Sequence, residues 1–528
     1  MNIDKGSKKA FIVGGGIASL ACAVYLIRDA KMPGENIHIL EKDHVLGGAL
    51  DGSGTADEGY LIRGGRMHEE HFVCTWDLLA TIPSLTEPGK SVLDEIVDFN
   101  SKVISCSTSR LVRAGKKIDV SSFGLSKHDR YDMLRLFFGS EDSLGNSTIE
   151  EWFSEDFFST VFWSLWSTTF AFQRWSSLVE MRRYFIRFIH LLPGFNQLKG
   201  IMRTVYNQYD SVVLPLEFWL KQQGAQFAMN CPVTDVDFDI DGSLKVATAI
   251  HYLDDNEQKT IFLSKDDCLF MTLGSMVEDA RVGSMTAPVR HDIVSTSDGA
   301  WSLWKHISRY HDDFGNPGVF CEHTDKSQWM SFTVTLKSPD FFSFMEEFTG
   351  NPAGTGGLVT FTDSSWCMSV VLAHQPHFIN QPEGIFVFWG DGLLPDEVGD
   401  FVKKKMSDCT GEEILIELFS HLKIMEMMKP AMSDINCIPC LMPYIDSQFL
   451  PRSSGDRPLV VPDGAINFAF VGQFVEVADD CVFTVEYSVR TAQTAVYTLL
   501  GLKKDILPVY KGSHDIAILL SALKAINR

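Results

Sequence analysis

The start of this chain carries the feature that most constrains its fold, a short apolar strand that runs into glycines and then into a helix. Ala10–Val13 is apolar throughout, and the pattern Gly14-x-Gly16-x-x-Ser19 follows it. Apolar residues then recur at helical spacing over Ile17–Arg28. Glycines in such a turn let a pyrophosphate approach the backbone at the positively polarised N-terminus of the helix. The passage predicts a dinucleotide-binding unit.

A second strand supplies the acidic group that such a unit needs. Ile37–Leu40 is apolar and ends at Glu41. A carboxylate there can accept both ribose hydroxyls, which indicates FAD or NAD rather than NADP. Further glycine turns at Gly48 and Gly65, and a late strand–turn–helix passage containing Gly472, resemble the FAD-binding domain of glutathione-reductase-like proteins and favour FAD. The alternative is that these glycines serve only as turns.

Composition limits the classes of function. The chain has 528 residues, enough for about three packing units. The formal net charge of −22 argues against nucleic acid as a partner, because phosphate binding needs a basic surface. The 38 Phe and 11 Trp, against 12 Tyr, indicate a lipophilic interior beyond what packing requires.

The eleven cysteines indicate the compartment. Most are isolated, which is typical of free thiols in a reducing environment. The CxxC pair at Cys437 and Cys440 lacks a second pair at zinc spacing, so we expect no metal site. No segment is apolar enough to span a bilayer. We therefore expect a cytoplasmic protein.

The pattern along the chain predicts a nucleotide-type domain built from separated segments. Residues 144–190 read as aromatic-rich helices, and strand-like alternation begins at Val233. A late strand at Phe468–Val471 precedes a helix over 484–500. We predict an α/β fold with a glutathione-reductase-like FAD-binding Rossmann domain, an inserted mixed α+β substrate-binding domain and a helical C-terminal part. The predicted segments are 1–85, 205–280 and 430–500 for the FAD-binding domain, 86–204 and 281–429 for the substrate-binding domain, and 501–528 for the tail.

Several stretches resemble one family over nearly the whole chain. They are RGGR (63–66), WDLLATIPSL (76–85), FAFQRWSSLVEMRRYFIRFIH (170–190), YNQY (206–209), NPAGTGGL (351–358), HQPHFINQP (374–382), CTGEE (409–413), MPYIDSQFLPR (442–452) and FVGQFVEVADDCVFTVEYSVRT (470–491). They stand in the order found in the oleate hydratases, FAD-containing fatty-acid double-bond hydratases once called myosin-cross-reactive antigens. The chain resembles a divergent subgroup of that family.

The resemblance implies addition of water to the cis-9 double bond of oleic acid or a related unsaturated fatty acid. The product from oleate would be 10-hydroxystearate, with FAD bound and no net redox change. An unactivated alkene needs a general acid, a positioned water and a stabiliser of developing positive charge. It also needs a long apolar tunnel that determines which carbon reacts, and the aromatic helices of 144–190 could form its wall.

The resemblance also implies candidate catalytic residues. Tyr184, in the MRRY segment, is the expected proton donor. Where many members have a glutamate after RGGR to position water, this sequence has Met67, whose thioether cannot act as a base. The task would then pass to a bound water or the flavin, or to one of the neighbours His68, Glu69 and Glu70.

The predicted substrate contacts are Gln208, in the YNQY stretch, and His374. Members that hold the fatty-acid carboxylate with Thr and Asn just before QPHF are not matched, since Val371 and Ala373 stand at those positions. We expect His374 or a nearby arginine to meet the carboxylate.

The resemblance extends the cofactor site beyond the first glycine turn. It implies a backbone hydrogen bond from Val233 to adenine, and it implies that Thr484 and Ser488 lie near the flavin. Thr484 could also cap the helix that follows it. The predicted cofactor-binding residues are Gly14, Gly16, Ala18, Ser19, Glu41, Lys42, Gly48, Arg66, Met67, Val233, Thr272, Gly274, Ser275, Gly472, Thr484 and Ser488.

The C-terminal segment reads as a helix with a broad apolar face, which could make peripheral contact with a membrane or dock on the protein body. Because the first strand begins at Ala10, whereas many family members carry an N-terminal extension that helps them dimerise, we expect a monomer or a homodimer of another kind.

Two other functions stay open. One is a redox flavoenzyme acting on an unsaturated lipid, such as a desaturase, an isomerase or an amine oxidase. The other is a fatty-acid-binding flavoprotein without activity, which Met67, Val371 and Ala373 favour.

Overall fold

The computed structural model describes residues 8–291 and 299–527. The strands in these ranges are β1 (Ala10–Val13), β2 (Ile37–Leu40), β3 (Gly52–Thr55), β4 (Gly59–Ile62), β5 (His68–Glu69), β6 (Leu111–Arg113), β7 (Lys116–Lys117), β8 (Ile201–Met202), β9 (Gln226–Ala228), β10 (Val233–Asp241), β11 (Leu244–Asp254), β12 (Glu257–Phe262), β13 (Cys268–Thr272), β14 (Arg281–Val282), β15 (Trp329–Leu336), β16 (Val359–Phe361), β17 (Met368–Val371), β18 (Phe386–Gly392), β19 (Ile435–Met442) and β20 (Phe468–Val471).

The α-helices in the same ranges are α1 (Ile17–Arg28), α2 (Val73–Leu79), α3 (Val92–Lys102), α4 (Lys127–Phe138), α5 (Glu141–Leu144), α6 (Val161–Phe170), α7 (Leu178–Arg187), α8 (Leu214–Gln222), α9 (Ala300–Ile307), α10 (Gly318–Cys321), α11 (Thr324–Ser327), α12 (Asp340–Thr349), α13 (Gly411–Leu422), α14 (Met425–Met428), α15 (Val485–Leu499) and α16 (Ile516–Ile526).

A parallel sheet gathers strands from both ends of the chain, in the order β20-β13-β1-β2-β9. Ala10 lies opposite Cys268 on one side and Ile37 on the other. The strands β1 and β20 are buried along their whole length, as expected for strands covered on both faces. The predicted bounds of β1, α1, β2 and β20 are confirmed, and so is the α/β class with a discontinuous Rossmann-type sheet.

A second sheet of eight strands, mostly antiparallel, has the order β14-β19-β15-β18-β17-β16-β6-β7. The predicted boundary at 430 assigns β19 to the FAD-binding domain, but β19 pairs with β15 along its length, Ile435 opposite Leu336 and Met442 opposite Trp329. The boundary is therefore wrong for this strand. The partner strands are far apart in sequence, so no local pattern reveals their pairing.

Aromatic residues of the predicted helical region build a separate core around α6 and α7. Trp166 is buried and stacks on Phe162 with ring centroids 5.4 Å apart. Tyr184, on α7, packs between Phe170 and Phe172. Tyr184 also donates a hydrogen bond to the carbonyl oxygen of Val482, which ties α7 to the segment just before α15.

Among the described residues, none of the helices combines the length and the apolar composition that crossing a membrane requires.

Candidate active site

A cavity of about 320 Å³ opens where the parallel strands end. In open parallel sheets ligands bind at this edge, because the helix N-termini point to it. The predicted cofactor residues that line this dinucleotide cavity are Gly14, Gly16, Ala18, Glu41, Lys42, Val233, Thr272, Gly274, Ser275, Gly472 and Ser488. The fold thus brings together predicted residues that are far apart in sequence.

The glycine turn after β1 leaves room for a ligand. Gly14 adopts φ +95°, and a Cβ there would lie 3.1 Å from Thr272 Oγ1. A Cβ on Gly15 would lie only 2.5 Å from the Leu46 side chain. Gly16 begins α1, and within the described ranges no other residue comes within 4 Å of where its Cβ would be. The N-terminus of α1 therefore adjoins open space in which an anionic group can lie.

Glu41 has the position of a ribose acceptor. Its carboxylate accepts hydrogen bonds from the backbone N–H groups of Gly15 and Asp43, the second at 2.8 Å. Burial raises the pKa of this carboxyl to about 7. Two ribose hydroxyls would donate to it and favour the ionised form.

The other five predicted cofactor residues do not line this cavity. Ser19 is buried behind the glycine turn, and Gly48 lies against the turn. Thr484 caps α15, as predicted, and lines a second cavity. Arg66 and Met67 lie where that second cavity meets a third.

These two smaller cavities, each of about 90 Å³, share the lining residues Gly65, Arg66 and Met67. The first, the aromatic cavity, is lined chiefly by Phe72, Trp166, Phe170, Tyr184, Phe188, Leu191, Leu192, Phe195 and Phe483. The second, the polar cavity, includes Arg203, Thr204, Tyr206, Asn207, Gln208, His374 and His377 in its lining. Both cavities are mainly apolar, and the second differs in its charged, amide and imidazole side chains, so the pair offers an aromatic end, an end with polar groups and a junction between them.

Tyr184 presents a phenol to the aromatic cavity. Its hydroxyl donates a hydrogen bond to the carbonyl oxygen of Val482 at 2.6 Å. Burial raises the pKa of this phenol well above its ordinary value, so it keeps its proton at neutral pH. Arg66 lies close enough for its charge to interact with that of a Tyr184 phenolate.

The two predicted glutamates differ in their surroundings. Glu69 is buried in the wall of the aromatic cavity, 2.9 Å from Arg187 and 2.9 Å from the ring of His71. Hydrogen bonds and the charge of Arg187 lower the pKa of Glu69 to about 2 despite its burial, which makes it a weak base. The Glu70 side chain is 77% exposed on the protein surface.

His68 and Gln208 lie together at the junction beside Met67. Burial lowers the pKa of His68 to about 4, so the ring is neutral at pH 7. Its Nε2 lies 3.4 Å from Nε2 of Gln208. In the described part of the chain, His68 Nδ1 and Gln208 Oε1 are buried without a hydrogen-bond partner. Buried polar atoms without partners are costly, so this pair is suited to hold a water or a substrate atom.

The polar cavity contains a fixed positive charge. Arg203 donates to the carbonyl of Gly354 at 2.7 Å and to Ser105 Oγ at 3.3 Å. Burial lowers its pKa to about 10, which still leaves it charged at neutral pH. Among residues 8–291 and 299–527, no acidic side chain forms an ion pair with it. His377 and the predicted His374 complete this wall, and burial lowers the pKa of both rings.

Sequence reasoning anticipated a nearby arginine without identifying Arg203, and it did not single out His377. Arg203 stands three residues before YNQY, outside the stretches already noted, whereas His377 lies within HQPHFINQP. Their convergence on one cavity was the missing information.

Comparisons with known proteins support one assignment. The MCRA family matches residues 7–497. An oleate hydratase of Streptococcus pyogenes serotype M49 (strain NZ131) is 41% identical, covering 98% of this chain and 90% of that protein. A linoleate hydratase of Lactiplantibacillus plantarum is 32% identical, covering 98% of each.

Among solved structures, a putrescine oxidase bound to putrescine aligns with 94% of this chain and 99% of its own, with a TM-score of 0.53 at 13% identity. That likeness concerns the fold alone.

Proposed function

The chain belongs to the MCRA family, and on that premise we propose that it adds water to a cis double bond of an unsaturated fatty acid, the cis-9 bond of oleic acid in the first place. The relatives named as hydratases of oleate and linoleate make it a hydro-lyase. The observation that carries the proposal is the junction of an aromatic and a polar cavity, with a protonated phenol on one side and a neutral imidazole on the other.

FAD is the proposed cofactor, and the residues of the dinucleotide cavity fit it. The glycine turn leaves open space at the start of α1, Glu41 can accept the ribose hydroxyls, and Val233 lies in the lining where adenine is expected. When bound in its reduced form, the flavin would supply an electron-rich ring system that stabilises developing positive charge.

The fatty acid would lie across the junction. Its apolar tail suits the aromatic cavity, and its carboxylate suits the polar cavity, where Arg203, His374 and His377 can meet the charge. A charge-assisted hydrogen bond from Arg203 would hold the carboxylate. Val371 and Ala373 stand where other family members hold it with Thr and Asn, and their side chains have no polar atoms. This orientation brings the middle of the acyl chain beside Met67 and Tyr184.

In the proposed reaction Tyr184 gives its proton to one alkene carbon while a water attacks the neighbouring carbon. His68 and Gln208 hold that water, and the neutral ring of His68 accepts the proton that it loses. Arg66 stabilises the phenolate until the proton returns from His68 to Tyr184 through water. His68 thereby takes the task that Met67 cannot perform, and neither Glu69, held by Arg187, nor the exposed Glu70 is needed.

We also propose that α16 gives peripheral contact with membranes, into which fatty acids partition. Ile516, Leu520 and Leu523 lie on one face of α16 and are exposed. Ala522 and Ile526 face the protein body and are buried.

The function is tested by incubating the FAD-loaded protein with oleate in 18-O water and analysing the products by mass spectrometry. We expect 10-hydroxystearate with one labelled hydroxyl. Flavin reduction by the lipid under anaerobic conditions, without a hydroxy acid, would instead identify a redox flavoenzyme. Fatty-acid binding with no product from any C16–C18 cis-unsaturated acid would identify a binding protein.

A further inference from the structure

A cluster of ionisable side chains lies outside the three cavities described above. It consists of Asp400, in the loop between β18 and α13, with Glu417 and His421 on α13. Glu417 and His421 are four residues apart, so both project from the same face of the helix. Asp400 reaches this face from the loop.

The distances within the cluster resemble a coordination shell. His421 Nε2 lies 3.5 Å from Glu417 Oε1 and 3.5 Å from Asp400 Oδ2. All three ligand atoms lie within 4.8 Å of one another. The separations are long for hydrogen bonds. They are close to the edge of about 3.4 Å of a tetrahedron with metal–ligand bonds of ~2.1 Å.

Burial makes this arrangement costly without a cation. The side chains of Glu417 and His421 are 0% and 2% exposed. His421 Nε2 is buried with no hydrogen-bond partner among the described residues. No lysine or arginine in those ranges forms an ion pair with Asp400 or Glu417. Two carboxylates therefore face a single imidazole.

The surrounding groups hold the ligands in place. Backbone N–H groups of the loop donate to Glu417, at 2.6 to 2.9 Å, and Ser365 donates to Asp400 at 2.8 Å. Glu417 Oε1 and Asp400 Oδ2, the carboxylate oxygens nearest His421, each accept one of these hydrogen bonds and retain a second lone pair for a metal. Asp363 lies 3.8 Å from Nδ1 of His421, on the far side of the ring, where outer-shell carboxylates of metal sites stand.

We propose that Asp400, Glu417 and His421 bind one divalent transition-metal ion, Zn²⁺ in particular, with water as the fourth ligand. One imidazole and two carboxylates are a donor set that suits zinc. Asp400 and Asp363 are each 33% exposed, so the ion has a route from solvent. The ion ties the loop to α13, which is a structural role.

A second cluster with similar chemistry provides a contrast. Glu69, His71 and His190 also place their ligand atoms within 4.8 Å of one another. There Arg187 lies 2.9 Å from Glu69 and already supplies the positive charge. We therefore assign no metal to that group, and His71 offers a matched control.

The test is to remove metals from the full-length protein with a chelator and titrate Zn²⁺ against a chromophoric competitor, with elemental analysis of the reloaded protein. We expect one zinc per chain and a higher Tm after loading. His421→Ala and Asp400→Asn should weaken binding by more than ~100-fold, because loss of even an outer-shell partner costs roughly 10–100-fold. Asp363→Asn should weaken it by about 10-fold, and His71→Ala should leave it unchanged.

Co²⁺ gives a second readout that does not depend on one variant folding. Its visible absorption in the loaded wild type should be that of a tetrahedral site with N and O ligands, and Asp400→Asn should abolish it. Failure of the wild type to bind Zn²⁺, or binding that survives Asp400→Asn and is lost in His71→Ala, would overturn the assignment. Hydration of oleate is measured separately and does not bear on it.

Discussion

At the scale of single residues, burial sets the protonation state of each group that the proposed reaction uses. Tyr184 keeps its proton because its pKa is raised, and His68 stays neutral because its pKa is lowered. Arg203 stays charged although it is buried in the wall of the polar cavity. An acid, a base and an anchor therefore coexist at one pH.

Replacing Tyr184 by Phe removes the proposed proton donor and leaves the ring in place. We expect turnover to fall by ~10²–10⁴-fold, the usual contribution of general acid catalysis, with FAD still bound. Product mass spectrometry and flavin absorbance measure the two quantities. Tyr25 is a matched control, because it is also buried and donates to a backbone carbonyl, that of Cys74 at 3.4 Å. Unchanged turnover in Tyr184→Phe, or an equal loss in Tyr25→Phe, would remove Tyr184 from the mechanism.

Glu41 should make FAD affinity depend on pH. Its pKa is raised to about 7 in the free protein, and ribose hydroxyls favour the ionised form, so binding lowers this pKa and releases a proton. Affinity should therefore rise as the pH approaches about 7 from below, and level off above it. Fluorescence titration of apoprotein at several pH values measures this. Glu41→Gln should bind FAD more weakly and show a flatter profile; a profile as steep as that of the wild type would contradict the assignment.

Arg203 should determine how strongly the fatty-acid carboxylate is held. We expect Arg203→Leu to raise KM for oleate by ~10–100-fold with a smaller change in kcat, since a hydrogen bond to a charged group contributes about 1.5–3 kcal/mol. Arg203 also bonds to Gly354, so a structural effect must be separated. Arg203→Lys should recover part of the affinity, and the preference of the wild type for oleate over its methyl ester should vanish in Arg203→Leu. A preserved preference would assign the carboxylate elsewhere.

At the scale of elements, α16 is a short helix with one face packed on the protein and the other exposed to solvent. Asp515 caps it by accepting from the backbone N–H of Ala517 at 2.7 Å. One face packs on the segment 189–197 beside the aromatic core, and the other leaves apolar side chains in solvent. An exposed apolar stripe on an otherwise packed helix is typical of a surface that contacts another apolar phase.

Removing this stripe should weaken attachment to lipid vesicles. The Ile516, Leu520 and Leu523 side chains are 74%, 55% and 40% exposed, so changing all three to Ser should leave the core intact. Flotation with vesicles containing oleate measures the bound fraction. The control changes three exposed apolar residues elsewhere, Val97, Leu244 and Phe262, to Ser. Negligible binding of the wild type, or equal losses in both variants, would exclude the membrane role of α16.

At the scale of the whole molecule, a buried ion network connects the aromatic core to the segment that follows β19. Glu180, on α7, is fully buried and lies 3.1 Å from Arg452 and 2.8 Å from Arg457. Arg457 also donates to the carbonyl of Gln448 at 2.6 Å. The charges of the two arginines lower the pKa of Glu180 to about 2 despite burial. The network fixes α7, and with it Tyr184, relative to the rest of the chain.

Glu180→Gln leaves the buried Arg457 without its anion, while Arg452 keeps its ion pair with Glu476 at 3.0 Å, and we expect the substitution to lower the free energy of unfolding by ~3–5 kcal/mol. The control is Glu155→Gln, which removes the charge of a 79% exposed carboxylate paired with Arg174. We expect it to lower the free energy of unfolding by less than ~1 kcal/mol. Urea denaturation measures both. Because the pKa of Glu180 is lowered in the folded protein, its charge stabilises the fold at pH values above its unfolded pKa of 4.5. This contribution is lost as the pH falls through about 2. The difference between wild type and Glu180→Gln should therefore shrink in acid, and a constant difference would contradict the charge argument.

The sequence alone determined the features that depend on neighbours along the chain. The bounds of β1, α1 and β2, the glycine turn and the cap at Thr484 follow from periodicity and local backbone conformation. The family resemblance added the reaction and named the residues to look for.

Only the tertiary structure decided the features that depend on contacts between distant segments of the chain. It showed that β19 belongs to the eight-stranded sheet and that Arg203 and His377 line one cavity. It also gathered the metal ligands proposed here, although cysteine spacing had led us to expect no metal site. Strand pairing and cavity walls form between residues that are far apart in sequence, about 100 positions for β15 and β19 and 174 for Arg203 and His377. Their energies come from burial and contact in the folded chain, which a local pattern does not encode.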